Sequence, residues 1–190
     1  MTRIGIILGS TRRGRKSEAV ANWVLAAASQ RDDAEFELVD LRDFALPFFD
    51  EEISPAWAPS ENPAVQAWSE KIASLDGFVF VTPEYNHSTS AVLKNAIDYI
   101  YSEWNNKAAA FVGYGGVGGA RAVEHLRLIA AELEIATVRH QVSLSLMTDF
   151  VNYTELTPSD YQVQNLGKTL DGVVAWSKAL EPLRADVLAA

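Results

Sequence analysis

The stretch that decides the fold reads Gly77-Phe78-Val79-Phe80-Val81-Thr82-Pro83-Glu84-Tyr85-Asn86-His87-Ser88. Its first five residues form an uninterrupted apolar run bounded by turn residues, which is typical of a strand buried on both faces. A helical pattern of apolar residues begins soon afterwards, at Ala91. In open parallel sheets, planar ligands bind where a buried strand passes through a short polar turn into a helix. We therefore predict a ligand site at this turn.

Strands and helices alternate along the rest of the chain. Apolar or alternating runs predict four more strands, at residues 4–8, 35–41, 108–112 and 135–142. Helical spacing predicts helices at residues 20–28, 65–75, 90–104, 122–133 and 163–183. Residues 44–63 hold four prolines and are predicted to form a long surface loop, and residues 143–158 are predicted to be irregular.

This alternation predicts βαβ units and an α/β fold. The two most apolar strands should be central, and the partly charged strand at 35–41 should lie at an edge. We therefore predict a flavodoxin-like three-layer sandwich with a five-stranded parallel sheet of order 2-1-3-4-5, in one domain spanning residues 1–190. In this order the ligand site lies between strands 1 and 3.

Composition excludes several classes of function. The net charge of −9 and the pI near 4.8 argue against nucleic acid as a partner, because that binding needs a basic surface. The absence of cysteine rules out a thiolate nucleophile or a thiolate metal site, so redox chemistry needs a bound cofactor. No signal peptide and no apolar run of about 20 residues is present, so we expect a cytoplasmic protein with no membrane partner. No metal site is predicted.

The loop after the first strand, residues 10–17 and called the first loop below, carries hydroxyls and cations in an acidic chain. Exposed N–H groups and the helix dipole at this position favour an anion. The alternative is a solvated basic loop in which Ser10 or Thr11 only caps a helix. The candidate phosphate ligands are Ser10, Thr11, Arg12, Arg15, Lys16 and Ser17.

A monophosphate such as that of FMN fits this loop better than a nucleotide triphosphate or a dinucleotide. The loop nearly matches the Walker A motif G-x-x-x-x-G-K-S of nucleoside triphosphatases, but Arg15 is inserted between Gly14 and Lys16. The geometry of that motif depends on the exact number of residues between its glycine and its lysine. The dinucleotide pattern G-x-G-x-x-G is absent here and occurs only later, from Gly113 to Gly118. A lone match at that place is a weak signal.

The turn at residues 83–88, called the ring-side turn below, is predicted to border the flavin ring. Pro83 stiffens its start, so the N–H groups of Tyr85, Asn86 and His87 can face the acceptor atoms of the ring. Tyr85 either packs on the ring or caps the core, and His87 is a turn residue rather than a base. Glu84 is either solvated or a tether to a neighbouring loop.

The glycine run at residues 113–119 is predicted to approach the other edge of the ring through Gly115 and Gly116. The alternative is a tight strand-to-helix connection.

Apolar residues of the predicted helix 90–104 cover an arc of about 200° on a wheel of 3.6 residues per turn. A helix on the surface of a monomer needs an apolar arc of only somewhat more than about 100°. This breadth favours packing against a second subunit, although the proline-rich loop is an alternative cover.

Four segments together resemble the NADPH-dependent FMN reductase family, which includes flavin, quinone, azo-dye and chromate reductases on a flavodoxin-like fold. They are Gly9 to Arg12, Thr82 to Ser88, Leu93 to Asp98 and Gly115 to Arg121. The resemblance implies FMN held by the first loop and the ring-side turn, in a homodimer or homotetramer with the site near the interface.

Carried onto this chain, the resemblance implies that Ser10, Arg12 and Ser17 bind phosphate. It also implies that Pro83, Glu84, Tyr85 and Asn86 border the ring on one side and Gly115 and Gly116 on the other. This chain departs from the family at one position. The family often has the pattern Arg-x-x-Ser in the first loop, but here Arg15 stands three residues after Arg12, where the family has serine. The third phosphate contact is therefore open between Arg15, Lys16 and Ser17.

The predicted function is that of an oxidoreductase in which NADPH or NADH reduces FMN, leaves, and is replaced in the same cleft by a small-molecule electron acceptor. Quinones and free flavin are the expected acceptors, with Phe48, Phe49 and Trp57 shaping the cleft. Two alternatives remain. One is a flavodoxin-type electron carrier that binds FMN without nicotinamide turnover, and the other is a non-catalytic protein that keeps the fold.

Overall fold

Five parallel strands form the central sheet of the computed structural model, which describes residues 1–188. The last two residues of the predicted domain 1–190 lie outside the described residues. The strands are β1 (Arg3–Leu8), β2 (Glu35–Asp40), β3 (Gly77–Pro83), β4 (Ala108–Gly115) and β5 (Ala136–Ser145). Their order is β2-β1-β3-β4-β5, and all four neighbouring pairs are parallel, which confirms the predicted topology.

Helices cover both faces of this sheet and complete the three layers. They are α1 (Ser17–Ala28), α2 (Pro63–Ala73), α3 (Ala91–Asp98), α4 (Ala120–Glu132), α5 (Asp160–Ala179) and α6 (Glu181–Leu188). One core packs α1 and α5 on the sheet, and the other packs α2, α3 and α4 on its opposite face. Along β1, Ile6 belongs to the first core and Ile7 to the second, because successive side chains of a strand point to opposite faces.

The ends of β1 and β3 bring the first loop and the ring-side turn together. Leu8 pairs with Val81, and the N–H of Gly9 donates to the Val81 carbonyl at 2.9 Å. A side chain at Gly9 would place its Cβ 2.8 Å from that carbonyl oxygen, so only glycine fits this close approach. Ser90, the N-cap of α3, donates to the Gly9 carbonyl and fixes the two connections to each other.

The predicted helix 90–104 is wrong in its second half, because α3 ends at Asp98. A short 3-10 turn follows at residues 102–104 and directs Trp104 into the core, where it packs edge-on against Phe78 at 4.9 Å. Trp104 and Tyr99 are fully buried within the subunit. The broad apolar arc was therefore drawn on residues that do not share one helix surface, and it gives no support to an oligomer.

The segment predicted to be irregular, residues 143–158, is more ordered than expected. Strand β5 continues to Ser145, and a two-stranded hairpin follows, formed by β6 (Phe150–Val151) and β7 (Glu155–Leu156). Helix α5 runs unbroken through Gly172, where it packs closely on β5, but it ends at Ala179, so the predicted helix 163–183 wrongly crosses the break before α6. A Cβ at Gly172 would lie 3.4 Å from the Cβ of Val138.

The long loop predicted at 44–63 is confirmed as a segment without helix or strand up to Asn62. Its apolar tip is anchored to the region of α3, where Asn95 donates to the Pro47 carbonyl at 2.7 Å and accepts from the Phe49 N–H at 2.9 Å. The Tyr99 hydroxyl donates to the Phe48 carbonyl at 2.9 Å. Within residues 1–188, no helix combines the length and the apolar character needed to cross a bilayer.

Lys107 precedes β4 at the opposite end of the sheet from these loops. Its side chain is buried and donates to the carbonyls of Ile72 and Ala73 at 2.7 and 3.2 Å, which satisfies the end of α2. Burial, helped by the nearby Arg184 and opposed by the carboxylates of Asp76 and Glu103, lowers the pKa of Lys107 to about 8.

Candidate active site

The first loop offers a row of unused backbone donors. In the part of the chain that the structure describes, the N–H groups of residues 10–16 make no hydrogen bond to the protein. The loop ends at Ser17, the first residue of α1, so the positive end of the helix dipole lies beside these donors. Ser10 and Ser17 are buried, at 1% and 0% exposed. The arrangement suits a bound anion.

Unsatisfied buried polar atoms are concentrated around this loop. Among the described residues, the buried side-chain atoms without a partner include Arg15 Nε, Ser17 Oγ and the Tyr114 hydroxyl. Tyr114 lies close to Ser17, and burial raises its pKa, with a further contribution from Tyr85. Buried polar groups are nearly always hydrogen-bonded, so such a group needs an explanation, and an absent ligand is one. Sequence reasoning missed Tyr114, although its place at the end of a central strand was a usable signal.

The cations of the first loop have different environments. The Arg15 side chain is 4% exposed and forms a two-pronged ion pair with Asp40, in which the Arg15 Nη1 to Asp40 Oδ1 distance is 2.6 Å. Arg12 is exposed, and its Cζ lies 5.9 Å from the centre of the Tyr85 ring. Lys16 occupies the N-cap position of α1 without a side-chain cap. The Arg15 guanidinium therefore faces Asp40, whereas Arg12 stays available to a ligand.

The ring-side turn is a two-residue hairpin. Tyr85 and Ser88 exchange two backbone hydrogen bonds of 2.9 and 3.1 Å, and both central residues have positive φ, 48° at Asn86 and 76° at His87. This is the type I′ geometry, which favours asparagine at its first central position. The expectation that the Tyr85 N–H faces a ligand is wrong, because Ser88 accepts it. The N–H groups of Asn86 and His87 bond no group among the described residues.

Glu84 ties the ring-side turn to α4. Its side chain is 4% exposed and accepts from the backbone N–H and the Nε of Arg121, at 3.1 and 2.6 Å. Burial opposes ionisation of Glu84, but the Arg121 hydrogen bonds outweigh it and lower the pKa of the carboxyl. Of the two roles left open for Glu84, the structure shows the tether. His87 Nδ1 lies 3.2 Å from Arg121 Nη1, and its side chain is exposed.

Tyr85 joins the two halves of the site. Its hydroxyl and Ser10 Oγ share a hydrogen bond of 2.9 Å, so the first loop and the ring-side turn touch directly. Pro83 ends β3 in the buried sheet, and the Thr82 and Thr89 hydroxyls share a buried bond of 2.8 Å beneath the turn. These contacts give the turn a fixed position relative to the first loop.

The glycine run forms the tight strand-to-helix connection, one of the two roles considered for it. Gly118 and Gly119 have positive φ, and a Cβ on Gly119 would lie 2.5 Å from the Tyr114 nitrogen, so they form the tight connection to α4. Gly115 is buried next to Glu84, whereas Gly116 is exposed, with no atom within 4 Å of the position of a Cβ. The backbone at Gly116 is thus open to a close approach from outside.

Comparisons with known proteins agree with this geometry. The family model for NADPH-dependent FMN reductase matches residues 2–149. The chain is 34% identical over 181 residues to an NAD(P)H-dependent FMN reductase of Schizosaccharomyces pombe, covering 94% of this chain and 90% of that protein. It is 32% identical over 194 residues to an NAD(P)H:quinone oxidoreductase of Solanum tuberosum, covering 98% and 90%.

A solved structure shows the same fold. It is FerB, a flavoenzyme NAD(P)H:(acceptor) oxidoreductase from Paracoccus denitrificans, with a TM-score of 0.72 at 22% identity over 94% of this chain and 98% of FerB. The predictions of a flavodoxin-like fold and of an oxidoreductase that uses FMN and a nicotinamide dinucleotide are confirmed. From the match over most of its length, the chain belongs to the NADPH-dependent FMN reductase family.

Proposed function

We propose that this protein binds FMN between the first loop and the ring-side turn and uses NAD(P)H to reduce quinones, free flavin or similar small acceptors. The observation that carries the proposal is the set of unpartnered buried atoms at Arg15, Ser17 and Tyr114. They lie beside a loop with free N–H groups and within reach of the turn that Tyr85 connects to it. A phosphate monoester with a polar chain attached satisfies such donors.

At the phosphate end, we assign the third contact to Ser17. Its buried hydroxyl makes no hydrogen bond within residues 1–188, whereas the Nη atoms of Arg15 are held by Asp40 and Lys16 lies at the helix cap. Arg12 supplies a positive charge to the ligand, because its side chain is exposed beside Tyr85. Ser10 contributes its backbone N–H, since its hydroxyl bonds Tyr85. Thr11 adds a further N–H in the same row.

At the ring end, the N–H groups of Asn86 and His87 are the donors for the acceptor atoms of the isoalloxazine. Pro83 and the Glu84–Arg121 tether hold the turn, and Gly116 leaves room at the opposite side. When bound, FMN supplies hydride transfer, and the protein contributes binding, orientation and electrostatics. No protein base is assigned, because the hydride step needs none and His87 faces Arg121.

The acceptor is proposed to dock beside the long loop. A pocket of about 340 Å³ runs from Thr11 and Arg42 to Phe48 and Asn95, so it borders the first loop. Phe48 and Trp57 are 83% and 86% exposed, which provides aromatic surface for a flat acceptor. Because one cleft serves the nicotinamide and the acceptor, we propose alternating binding. Parallel lines in double-reciprocal plots at several acceptor concentrations are expected, and intersecting lines would contradict it.

We propose that the protein is a cytoplasmic homodimer or homotetramer. The support is an apolar depression beside the ring-side turn, formed by Ser88, Ala91, His125, Leu128 and Ile129, in which Leu128 is 74% exposed. A second copy covering it would bury this leucine next to the proposed site. Analytical ultracentrifugation is expected to give two or four copies. A monomer at every concentration tested would refute the assembly.

The decisive experiment is the visible absorption spectrum of the purified protein, with FMN added if needed, followed by NAD(P)H titration without oxygen. A bound flavin spectrum that is bleached by NAD(P)H and restored by a small quinone is expected. Protein that stays colourless after FMN is added would refute the proposal. Bound FMN that NAD(P)H does not reduce would favour the flavodoxin-type carrier instead.

A further inference from the structure

Three consecutive carbonyl groups of the first loop are held from one side by arginines. Arg15 Nη1 donates to the Ser10 carbonyl at 2.9 Å. Arg42 spans the next two, with Nε donating to the Thr11 carbonyl at 3.2 Å and Nη2 to the Arg12 carbonyl at 2.7 Å. Arg42 comes from the short turn after β2, about 30 residues further along the chain. The loop is thus held by a neighbouring strand and not only by its own sequence.

Asp40, the last residue of β2, organises both arginines. Its two carboxylate oxygens accept from the two Nη atoms of Arg15, and Oδ1 also accepts from the backbone N–H of Arg42 at 3.0 Å. The parallel register pairs Asp40 with Leu8, so this carboxylate lies beside the point where the first loop begins. Asp40 therefore contacts both residues that hold the three carbonyls, Arg15 through its guanidinium and Arg42 through its backbone N–H.

The orientation of the loop follows from peptide geometry. In a planar trans peptide the carbonyl points away from the N–H of the following residue. With the carbonyls of residues 10–12 held towards β2, the N–H groups of residues 11–13 are directed away from it. These N–H groups make no bond to the described part of the protein. We propose that Asp40 is a positioning residue that, through Arg15 and Arg42, aims the N–H groups of the first loop at a phosphate monoester.

This inference rests on the proposed function, and it makes a prediction opposite to that of simple electrostatics. A carboxylate near an anion site repels the anion, so removing its charge should tighten phosphate binding. If Asp40 instead orders the loop, removing its charge weakens binding, because Arg15 loses its two-pronged ion pair and the acceptor of the Arg42 N–H becomes weaker. The sign of the change in affinity therefore separates the two roles of the carboxylate.

The test compares FMN with riboflavin, which lacks the phosphate, by quenching of flavin fluorescence in Asp40→Asn. The Kd for FMN is expected to rise by about tenfold or more, the effect of losing about 1.4 kcal/mol. The Kd for riboflavin is expected to change by less than about threefold. A purely structural role would weaken both flavins alike and would overturn the inference, as would FMN binding that is unchanged or tighter.

Matched variants control for charge and for folding. Asp43→Asn removes the same charge from an exposed residue of the same segment, and its affinity for FMN is expected to stay within about twofold of the wild type. Asp40→Glu should recover most of the lost affinity. If Asp40→Asn does not fold, Arg42→Ala tests the same bonds, because this side chain is exposed. Arg42→Ala should raise the Kd for FMN about fivefold, whereas Arg139→Ala, at a distant exposed position, should leave the Kd unchanged.

The outcomes also separate this inference from the proposed function. Wild-type protein that binds neither flavin would refute the proposed function. Wild-type protein that binds FMN, together with Asp40→Asn and Arg42→Ala variants that bind it equally well, would leave the function standing and refute the positioning role.

Discussion

At the scale of single residues, Arg12 is an exposed cation of the first loop that pairs with no carboxylate in the described chain and lies beside the Tyr85 ring. Arg12→Ala is expected to weaken FMN binding by about 1.5–3 kcal/mol, the range for a hydrogen bond to a charged group. Fluorescence titration measures it. Arg13→Ala removes the same charge one residue away and should have a smaller effect. Equal losses in both variants would point to general attraction rather than to a specific contact.

Ser17 permits a test in which stability and affinity move in opposite directions. Its hydroxyl is buried at the first turn of α1 and makes no hydrogen bond to any of the described residues. In Ser17→Ala the unsatisfied group is gone, so the flavin-free protein should be as stable as the wild type or more stable by about 1 kcal/mol. FMN binding should weaken by about 0.5–1.5 kcal/mol. Urea unfolding and fluorescence titration measure the two, and a loss of stability would contradict the assignment.

Sequence patterns indicated the first loop as the candidate phosphate site but did not show which of its side chains already have partners in the protein. The choice between Arg15, Lys16 and Ser17 stayed open because the partner of Arg15 is Asp40, 25 residues away in the chain. That contact depends on the pairing of β1 with β2, which local spacing does not encode. Tyr114 was missed for the same reason, since its neighbour Ser17 lies on another element.

At the scale of elements, the ring-side turn depends on its attachment to α4. The Glu84 carboxylate holds both the backbone and the side chain of Arg121. Glu84→Gln is expected to lower the free energy of unfolding at pH 7 by about 1–3 kcal/mol, because it removes a charge-assisted acceptor from a nearly buried place. Urea unfolding measures the change.

The pH dependence of this tether has a definite sign. The pKa of Glu84 in the folded protein lies below its ordinary value of 4.5, chiefly because the Arg121 bonds overcome the effect of burial. The folded state therefore binds the proton less well than the unfolded state, so the stabilisation is complete above pH 4.5 and is lost as the pH falls through the folded pKa. The stability difference between wild type and Glu84→Gln should shrink over that range. A constant difference would contradict it.

The elements themselves were largely predictable, and the largest error is instructive. Apolar spacing placed the five strands of the central sheet and five of the six described helices, but it joined α5 to the start of α6 and extended α3 to Trp104. The continuation failed because Tyr99, Ile100 and Trp104 are buried in the same core cluster as α2 and α3 although they lie beyond the end of α3, which a helical wheel does not represent. Trp104 also donates to the Ile97 carbonyl at the end of α3, which closes the helix.

At the scale of the whole molecule, the topology followed from the alternation of strands and helices, because parallel strands require crossovers. The same alternation predicts a ligand site between β1 and β3. The alternation does not predict the side-chain hydrogen bonds that join Asp40 to the first loop or Glu84 to α4, because these form between segments far apart in the chain.

Ligand binding at two ends of the site should stabilise the whole fold. FMN at about 100 times its Kd is expected to add about 2.7 kcal/mol to the free energy of unfolding. For a chain of this size that corresponds to a rise in Tm of about 5–10 °C. Riboflavin at the same concentration should give a clearly smaller rise. An equal rise with both flavins, measured by calorimetry, would argue against phosphate recognition.

The buried amine of Lys107 gives the protein a built-in reporter of motion far from the flavin. With a pKa of about 8, a large share of this amine is uncharged in mildly alkaline buffer and is therefore reactive towards an acylating reagent. Its burial keeps the reagent out until the base of the sheet separates from α2. Mass spectrometry should show that the Lys107 amine is labelled far more slowly than the exposed Lys168. The labelling rate then reports how often this end of the sheet separates from α2.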